Sequence, residues 1–222
     1  MKVLFNHVLI RVDRENDELL LSNGLKLYLD TSYEKEKHFP RVGVVEQAPE
    51  MIYFDREEPR RSCDFDTEVE IQKGDIVIFH YLAIENSRAR YASLKKHVDP
   101  KLDLIPYDTI FVAIREGKVI PVNGYVIVEP LDETFETSLY IPDTARTFSK
   151  TKGVVRYIST PLNGYLEWPD MFDTDEIAVG DTVCYRAENC IPFEYDLHQQ
   201  LDKGKKLFRM QRRDIDAILT TA

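Results

Sequence analysis

The sequence predicts an all-β chain, of sandwich or barrel type, built from two tandem copies of one unit. Three observations carry that expectation. Short β-branched and aromatic runs recur along the 222 residues, each bounded by turn residues. Apolar residues at helical spacing are scarce, the best case being a turn over 212–218 that Asp214 caps. The strand signals also come round twice in the same order, and such repeats are sought before any fold is assigned.

Taken in order, residues 8–12 (VLIRV), 42–45 (VGVV), 75–79 (DIVIF) and 109–114 (TIFVAI) read as strands of the first copy. Residues 125–128 (YVIV), 153–158 (GVVRYI), 181–185 (DTVCY) and 206–210 (KLFRM) read as strands of the second. Gly74-Asp75 and Gly180-Asp181 each open a strand and lie 106 residues apart. Gly43-Val44-Val45 and Gly153-Val154-Val155 lie 110 apart, Leu27-Tyr28-Leu29 and Leu139-Tyr140-Ile141 lie 112 apart, and Asn6 and Asn123 lie 117 apart. The spacing shrinks steadily, so the first copy holds the longer connections, above all 80–108. The copies are read as 1–117 and 118–222, meeting at Gly117-Lys118. The alternative is one large β-domain whose strands merely look alike. Gly74 and Gly180 suit a turn with positive φ. Alternation after each aspartate puts Ile76 and Ile78, or Thr182 and Cys184, on one face, and Val77 and Phe79, or Val183 and Tyr185, on the other.

Composition excludes several classes of function. Lys+Arg number 29 against 39 Asp+Glu, a net charge of −10, which argues against non-specific nucleic-acid binding. No window is apolar enough for a transmembrane helix, and charge arrives too early for a secretory signal. Cys63, Cys184 and Cys190 form no CxxC pair and are expected as thiols in a reducing, cytoplasmic compartment (a host's, if the chain is virus-encoded). His7, His38, His80, His97 and His198 are scattered without metal-ligand spacing. No GxGxxG, GxSxG, P-loop or Cys/His pattern appears, so no catalytic residue, metal or cofactor is expected.

The unit reads as strand, long polar loop with a short apolar island, strand, variable hairpin, G-D-hydrophobic strand, loop and terminal strand. In that order it resembles the co-chaperonin family, whose bacterial member is GroES. GDIVIF at 74–79 resembles the family's G-D strand. Leu139-Tyr140-Ile141-Pro142 resembles the hydrophobic tripeptide of its mobile loop, and Lys152-Gly153-Val154-Val155 the strand that follows. Residues 206–210 and then 214–219 (DIDAIL) resemble its terminal strand and tail. The second copy fits better than the first. Tyr28 and Tyr140 depart from the pattern, standing at a position that is usually aliphatic, and Thr137-Ser138 stand where two small residues are usual.

The resemblance implies two tandem GroES-like barrels. It implies that residues 110–114 pair with 125–128 within the chain, as neighbouring family members pair in rings. It implies a homo-oligomeric ring that caps a GroEL-type chaperonin carrying ATP or ADP, with no nucleic-acid or membrane partner. The chaperonin-binding residues it implies are Leu27, Tyr28, Leu29, Leu139, Tyr140 and Ile141. Asp132, Glu133 and Glu136 before the second triplet, and Glu15, Asp17 and Glu18 before the first, keep such loops solvated. Burying two large aliphatic side chains is worth roughly 3–6 kcal/mol gross, and ordering a loop costs a comparable amount. One loop therefore binds weakly and a ring of them binds by avidity. Two alternatives stay open. Asn23-Gly24 can make a hairpin that pairs Leu19-Leu20-Leu21 with residues 25–29. The whole chain can also be a non-catalytic structural or assembly protein, for example a viral component, on the same scaffold. The segments 46–67, with Arg56, Arg60 and Arg61, and 163–168, with Trp168, are unusual for the family's roof hairpin, and the sequence does not say what they face.

Overall fold

The computed structural model describes residues 3, 6–12, 18–20, 26–28, 39–90, 99, 101–132, 148–168, 170–193, 201 and 205–219, with the side chains of 18–20 and 26–28 left aside. The chain divides into two units, Met1–Lys118 and Val119–Ala222. The first contains β1 (His7–Arg11), β2 (Glu18–Leu20), β3 (Lys26–Tyr28), β4 (Val42–Gln47), β5 (Phe65–Asp66), β6 (Ile76–Phe79), the helix α1 (Leu82–Arg90), β7 (Leu102–Pro106) and β8 (Ile110–Arg115). β9 (Lys118–Pro121) begins at the division. The second unit continues with β10 (Tyr125–Asp132), β11 (Phe148–Ile158), β12 (Gly164–Tyr165), β13 (Thr182–Tyr185), β14 (Ile191–Pro192), β15 (Phe208–Gln211) and β16 (Ile215–Leu219). The chain is thus mostly β, as the sequence predicts.

The strands of the first unit are ordered β7-β1-β4-β6-β8 and those of the second β15-β10-β11-β13-β16, with β14 outside β15. The registers agree as well. Gly43 faces Val77 and Gly153 faces Val183. β6 meets β8, and β13 meets β16, with the same slip at the fourth residue, before Phe79 and before Tyr185. β1 meets β4, and β10 meets β11, with a bulge before Ile10 and before Val128.

These pairings correct the sequence alignment of the first strands by one residue. His7 corresponds to Tyr125, not Asn6 to Asn123: the Asn6 carbonyl accepts from the Tyr107 N–H at 2.8 Å, and the Gly124 carbonyl from the Arg212 N–H at 3.1 Å. A one-residue slip would exchange the buried and outer faces of the strand. With the correction, Val8, Ile10, Val45, Ile71, Val77, Phe79 and Ile105 match Val126, Val128, Val155, Ile177, Val183, Tyr185 and Met210, and all fourteen are buried. The second set packs into one cluster with Phe208. Burying each such side chain is worth about 1.5–3 kcal/mol. Ile76 and Ile78, expected on one face, differ: Ile76 is exposed, and Ile78 is buried together with Val77 and Phe79.

The Gly-Asp turn works identically in both units. Gly74 and Gly180 have φ of 95° and 99°, a region open to glycine without a Cβ penalty. The Asp75 carboxylate accepts from the Gln72 N–H, and that of Asp181 from the Ala178 N–H, each at 2.8 Å. Asp75 is also gripped by Arg115, whose Nε and Nη2 donate at 2.9 and 2.8 Å. Across the first two strands of each unit runs one ion pair with its signs exchanged: Arg11 with Glu46, and Glu129 with Arg156.

Three expectations need correction. No strand pairing closes either sheet into a barrel among the described residues. Residues 125–128 do not pair with 110–114, because β10 already has β15 on one edge and β11 on the other. The expected turn over 212–218 is only a 3₁₀ turn, Arg212–Asp214, where the Asp214 carboxylate accepts from the Gln211 N–H, and the rest is β16. The connection 80–108 holds α1 and β7. α1 buries only Ala83, Ile84 and Ser87, and the Ser87 hydroxyl accepts from the Leu104 N–H and donates to buried Asp103.

A methyl group at Gly153 would stand 2.8 Å from the Glu129 carbonyl oxygen, and one at Gly43 would stand 3.0 Å from that of Arg11. Backbone cannot swing aside as a side chain does. Gly153→Ala is therefore expected to destabilise the second unit by about 2 kcal/mol. The urea midpoint should fall with an unchanged slope, and an unchanged midpoint would refute the tight crossing.

Candidate functional site

Of the residues that the sequence singles out, Leu29, Leu139, Tyr140 and Ile141 lie outside the described residues. Leu27 and Tyr28 lie in β3, where the backbone pairs Leu19 with Leu27 and Glu18 with Tyr28. That is the hairpin left open as an alternative. The placement in the chain is still informative. Both triplets fall in the connection from the first to the second sheet strand, β1 to β4 in one unit and β10 to β11 in the other.

The two unusual segments of the sequence frame the clearest cavities. Both rest on the 3₁₀ turn that precedes the last strand of each sheet. In the first unit this turn is Tyr107–Thr109. Buried Tyr107 holds the far end of the segment through its hydroxyl, which accepts from the Glu70 N–H at 2.8 Å. Asn6 holds the near part: its Nδ2 donates to the carbonyls of Tyr53 and Arg61, both at 2.9 Å, and its Oδ1 accepts from the Tyr53 N–H. The resulting cavity, about 590 Å³, is lined by His7, Tyr53, Arg60, Arg61, Arg90 and Asp108 among others. Burial lowers the pKa of His7 and the nearby Arg90 charge lowers it further. Burial pushes the Asp108 carboxyl up to about 6, with the charge of Asp64 adding to it.

In the second unit buried Arg212 occupies the place of Tyr107. Its guanidinium donates to the Ser159 carbonyl at 2.5 Å and to the Thr174 carbonyl at 2.6 Å, so one side chain holds both ends of the segment between them. Asp173 fixes the interior, accepting from the Tyr165 hydroxyl at 2.5 Å and from the Leu162 N–H at 3.0 Å. The neighbouring Arg213 lies 4.1 Å from the Trp168 ring centroid and 4.5 Å from that of Tyr165. The cavity here, about 410 Å³, is lined by Tyr125, Trp168, Met171, Arg186 and Arg213 among others. Sequence reasoning registered Arg60, Arg61 and Trp168 but not their partners, because His7, Asp108 and Arg213 come from strands and turns far along the chain.

The three cysteines are free thiols; Cys63 is buried, which raises its pKa to about 12 and leaves it unreactive. No described helix is long and apolar enough to cross a membrane. No protein-family model matches this chain, and no curated protein matches it.

A carboxyl with a raised native pKa holds its proton more tightly folded than unfolded. Its stabilising contribution is present in acid and is lost as the pH rises from about 4 to about 6. Asp108→Asn cannot ionise, yet keeps an acceptor for the Asp64 and Thr109 N–H groups. The variant is expected to lack that fall in stability, on the order of 2 kcal/mol, in urea midpoints measured from pH 4 to 7. Parallel profiles for the two proteins would contradict the assignment.

Proposed function

We propose that the chain is a co-chaperonin-type lid, built from two tandem units of GroES-like topology, that caps an ATP-driven, GroEL-type chaperonin and so assists protein folding. One observation carries this reading. Two sheets that share five strands in one order and register each have an apolar triplet in the same connection, between the first and second strands. Duplicated loops of this kind suit binding by avidity, in which each weak contact can be released during a cycle. Leu139, Tyr140 and Ile141 are the principal docking residues of the proposal, with Leu27, Tyr28 and Leu29 as their counterparts. A homo-oligomeric ring fits β16, an outermost strand with Ile218 and Leu219 exposed.

The β2–β3 hairpin favours a second reading for the first triplet. Leu27 and Tyr28 in a paired strand suit a permanent interface of a non-catalytic assembly protein better than a mobile docking loop. The two readings separate in one experiment, a pull-down with a double-ring chaperonin with and without ATP. The lid reading expects association only in the nucleotide-bound state. It also expects loss of at least tenfold in affinity for the Leu139→Ser, Ile141→Ser double variant, with unfolding unchanged, and a smaller loss for Leu27→Ser. Absence of nucleotide-dependent association would sink it.

A further inference from the structure

We infer that the cavity of the second unit is a binding site for the carboxylate of an acidic peptide segment, with Arg213 as its anchoring cation and the surface around Trp168 as the seat for a neighbouring apolar side chain. The inference is independent of the lid reading, since it uses neither triplet.

The charge balance of the cavity comes first. The protein as a whole carries −10, yet this cavity gathers Arg186, Arg209 and Arg213. Its acids are Glu188 and Asp214, and the Asp214 carboxylate is taken, accepting from Asn189 Nδ2 at 2.7 Å and from the Gln211 N–H at 3.0 Å. Asp173 lies within electrostatic range of Arg213 but is bonded to Tyr165 and Leu162. Arg186 reaches Asp216 at 3.3 Å, a half-exposed contact that screening leaves weak.

Arg213 itself is stacked rather than paired. Its guanidinium lies against Trp168 and Tyr165, and no carboxylate within the described residues pairs with it; Nη1 is closed off from water, so a ligand would be met by Nε and Nη2. A guanidinium held between two rings set at 72° to each other is already restrained, so little side-chain freedom is lost when a carboxylate accepts its hydrogen bonds. The platform is stiff for the reasons already given: Arg212 holds both ends of the segment and Asp173 its middle.

The apolar half of the site follows the same segment. Trp168 is 45% exposed and Phe172 is 69% exposed, and Met171 is exposed beside them. Together with Asp170 they line an open hollow of about 420 Å³ that shares Trp168 and Met171 with the cationic cavity. Such a patch of large apolar side chains next to the ring-held Arg213 fits a peptide that carries a carboxylate beside a large apolar residue. The equivalent cavity of the first unit has Asp108 where Arg213 stands and His7 where Tyr125 stands, so the duplication preserved the hollow and changed its chemistry.

Trp168 is the single tryptophan of the chain, so its fluorescence reports on this site alone. The probe is acetyl-Phe-Glu-Leu-amide, titrated into the full chain at low salt and compared with the same peptide carrying Gln in place of Glu. The glutamate peptide is expected to change the Trp168 emission saturably and to bind about tenfold more tightly than the glutamine peptide, with the difference shrinking as salt rises. Arg213→Gln is expected to lose that preference. Arg186→Gln, which leaves the ring stack untouched, is expected to weaken it severalfold. Equal binding of the two peptides overturns the inference, as does retention of the preference in Arg213→Gln. A response to ATP in place of the peptide also overturns it, because that would make the cavity a nucleotide site.

Discussion

The second strand of each sheet lies against the first only because a glycine stands where the two come closest. At Gly43 and Gly153 the space a Cβ would take is filled by a carbonyl of the facing strand. The rest of each unit depends on that crossing. It fixes the bulge in β1 and β10, and the bulge decides which residues of those strands turn inward. It also brings Val45 and Val155 into line with the Gly-Asp turn. There the Val45 N–H donates to the Asp75 carbonyl at 2.8 Å and the Val155 N–H to the Asp181 carbonyl at 2.9 Å. The third strand is thus placed by the second, and the last strand by the third, so a single close contact sets the register of five strands.

What the two units share is backbone, and what differs between them is side chain. Arg11–Glu46 and Glu129–Arg156 perform one cross-strand task with the charges exchanged. Tyr107 and Arg212 both anchor a long segment, one through a hydroxyl and one through a guanidinium. Buried Phe208 has Asp103 as its counterpart, and there the aspartate accepts from Ser87 of α1, which lies in the link from β6 to β7. Position by position the chemistry differs, while hydrogen-bond geometry keeps the frame.

Much of that frame was legible in the sequence because the central strands are runs of Val, Ile and Phe, whose β-branching and burial speak with one voice. The elements that stayed hidden carry mixed signals. β7 is broken by Asp103 and ends in Pro106, so it does not read as an apolar run. α1 buries too narrow a stripe to show a helical period. The tail 215–219 is nearly all exposed, and its strand state comes from pairing with β13. The first-strand alignment slipped by one because two asparagines coincided, and only cross-strand partners distinguish 117 from 118. The cavities were illegible for a different reason: Trp168 and Arg213 are far apart in the chain, and nothing local to either announces that one will lie on the other.

The double grip of Arg212 on Ser159 and Thr174 has an evolutionary side. When one buried guanidinium fixes both ends of a segment, the exposed residues between them, such as Trp168 and Phe172, are not needed to hold it in place. Apart from buried Leu162 and Tyr165, their content can change without disturbing the core, much as the corresponding segment of the first unit is longer and is tied down by Asn6 and Tyr107 instead. The span from 160 to 173 is in effect a socketed cassette. New recognition surfaces can be exchanged there while the fold that presents them stays fixed.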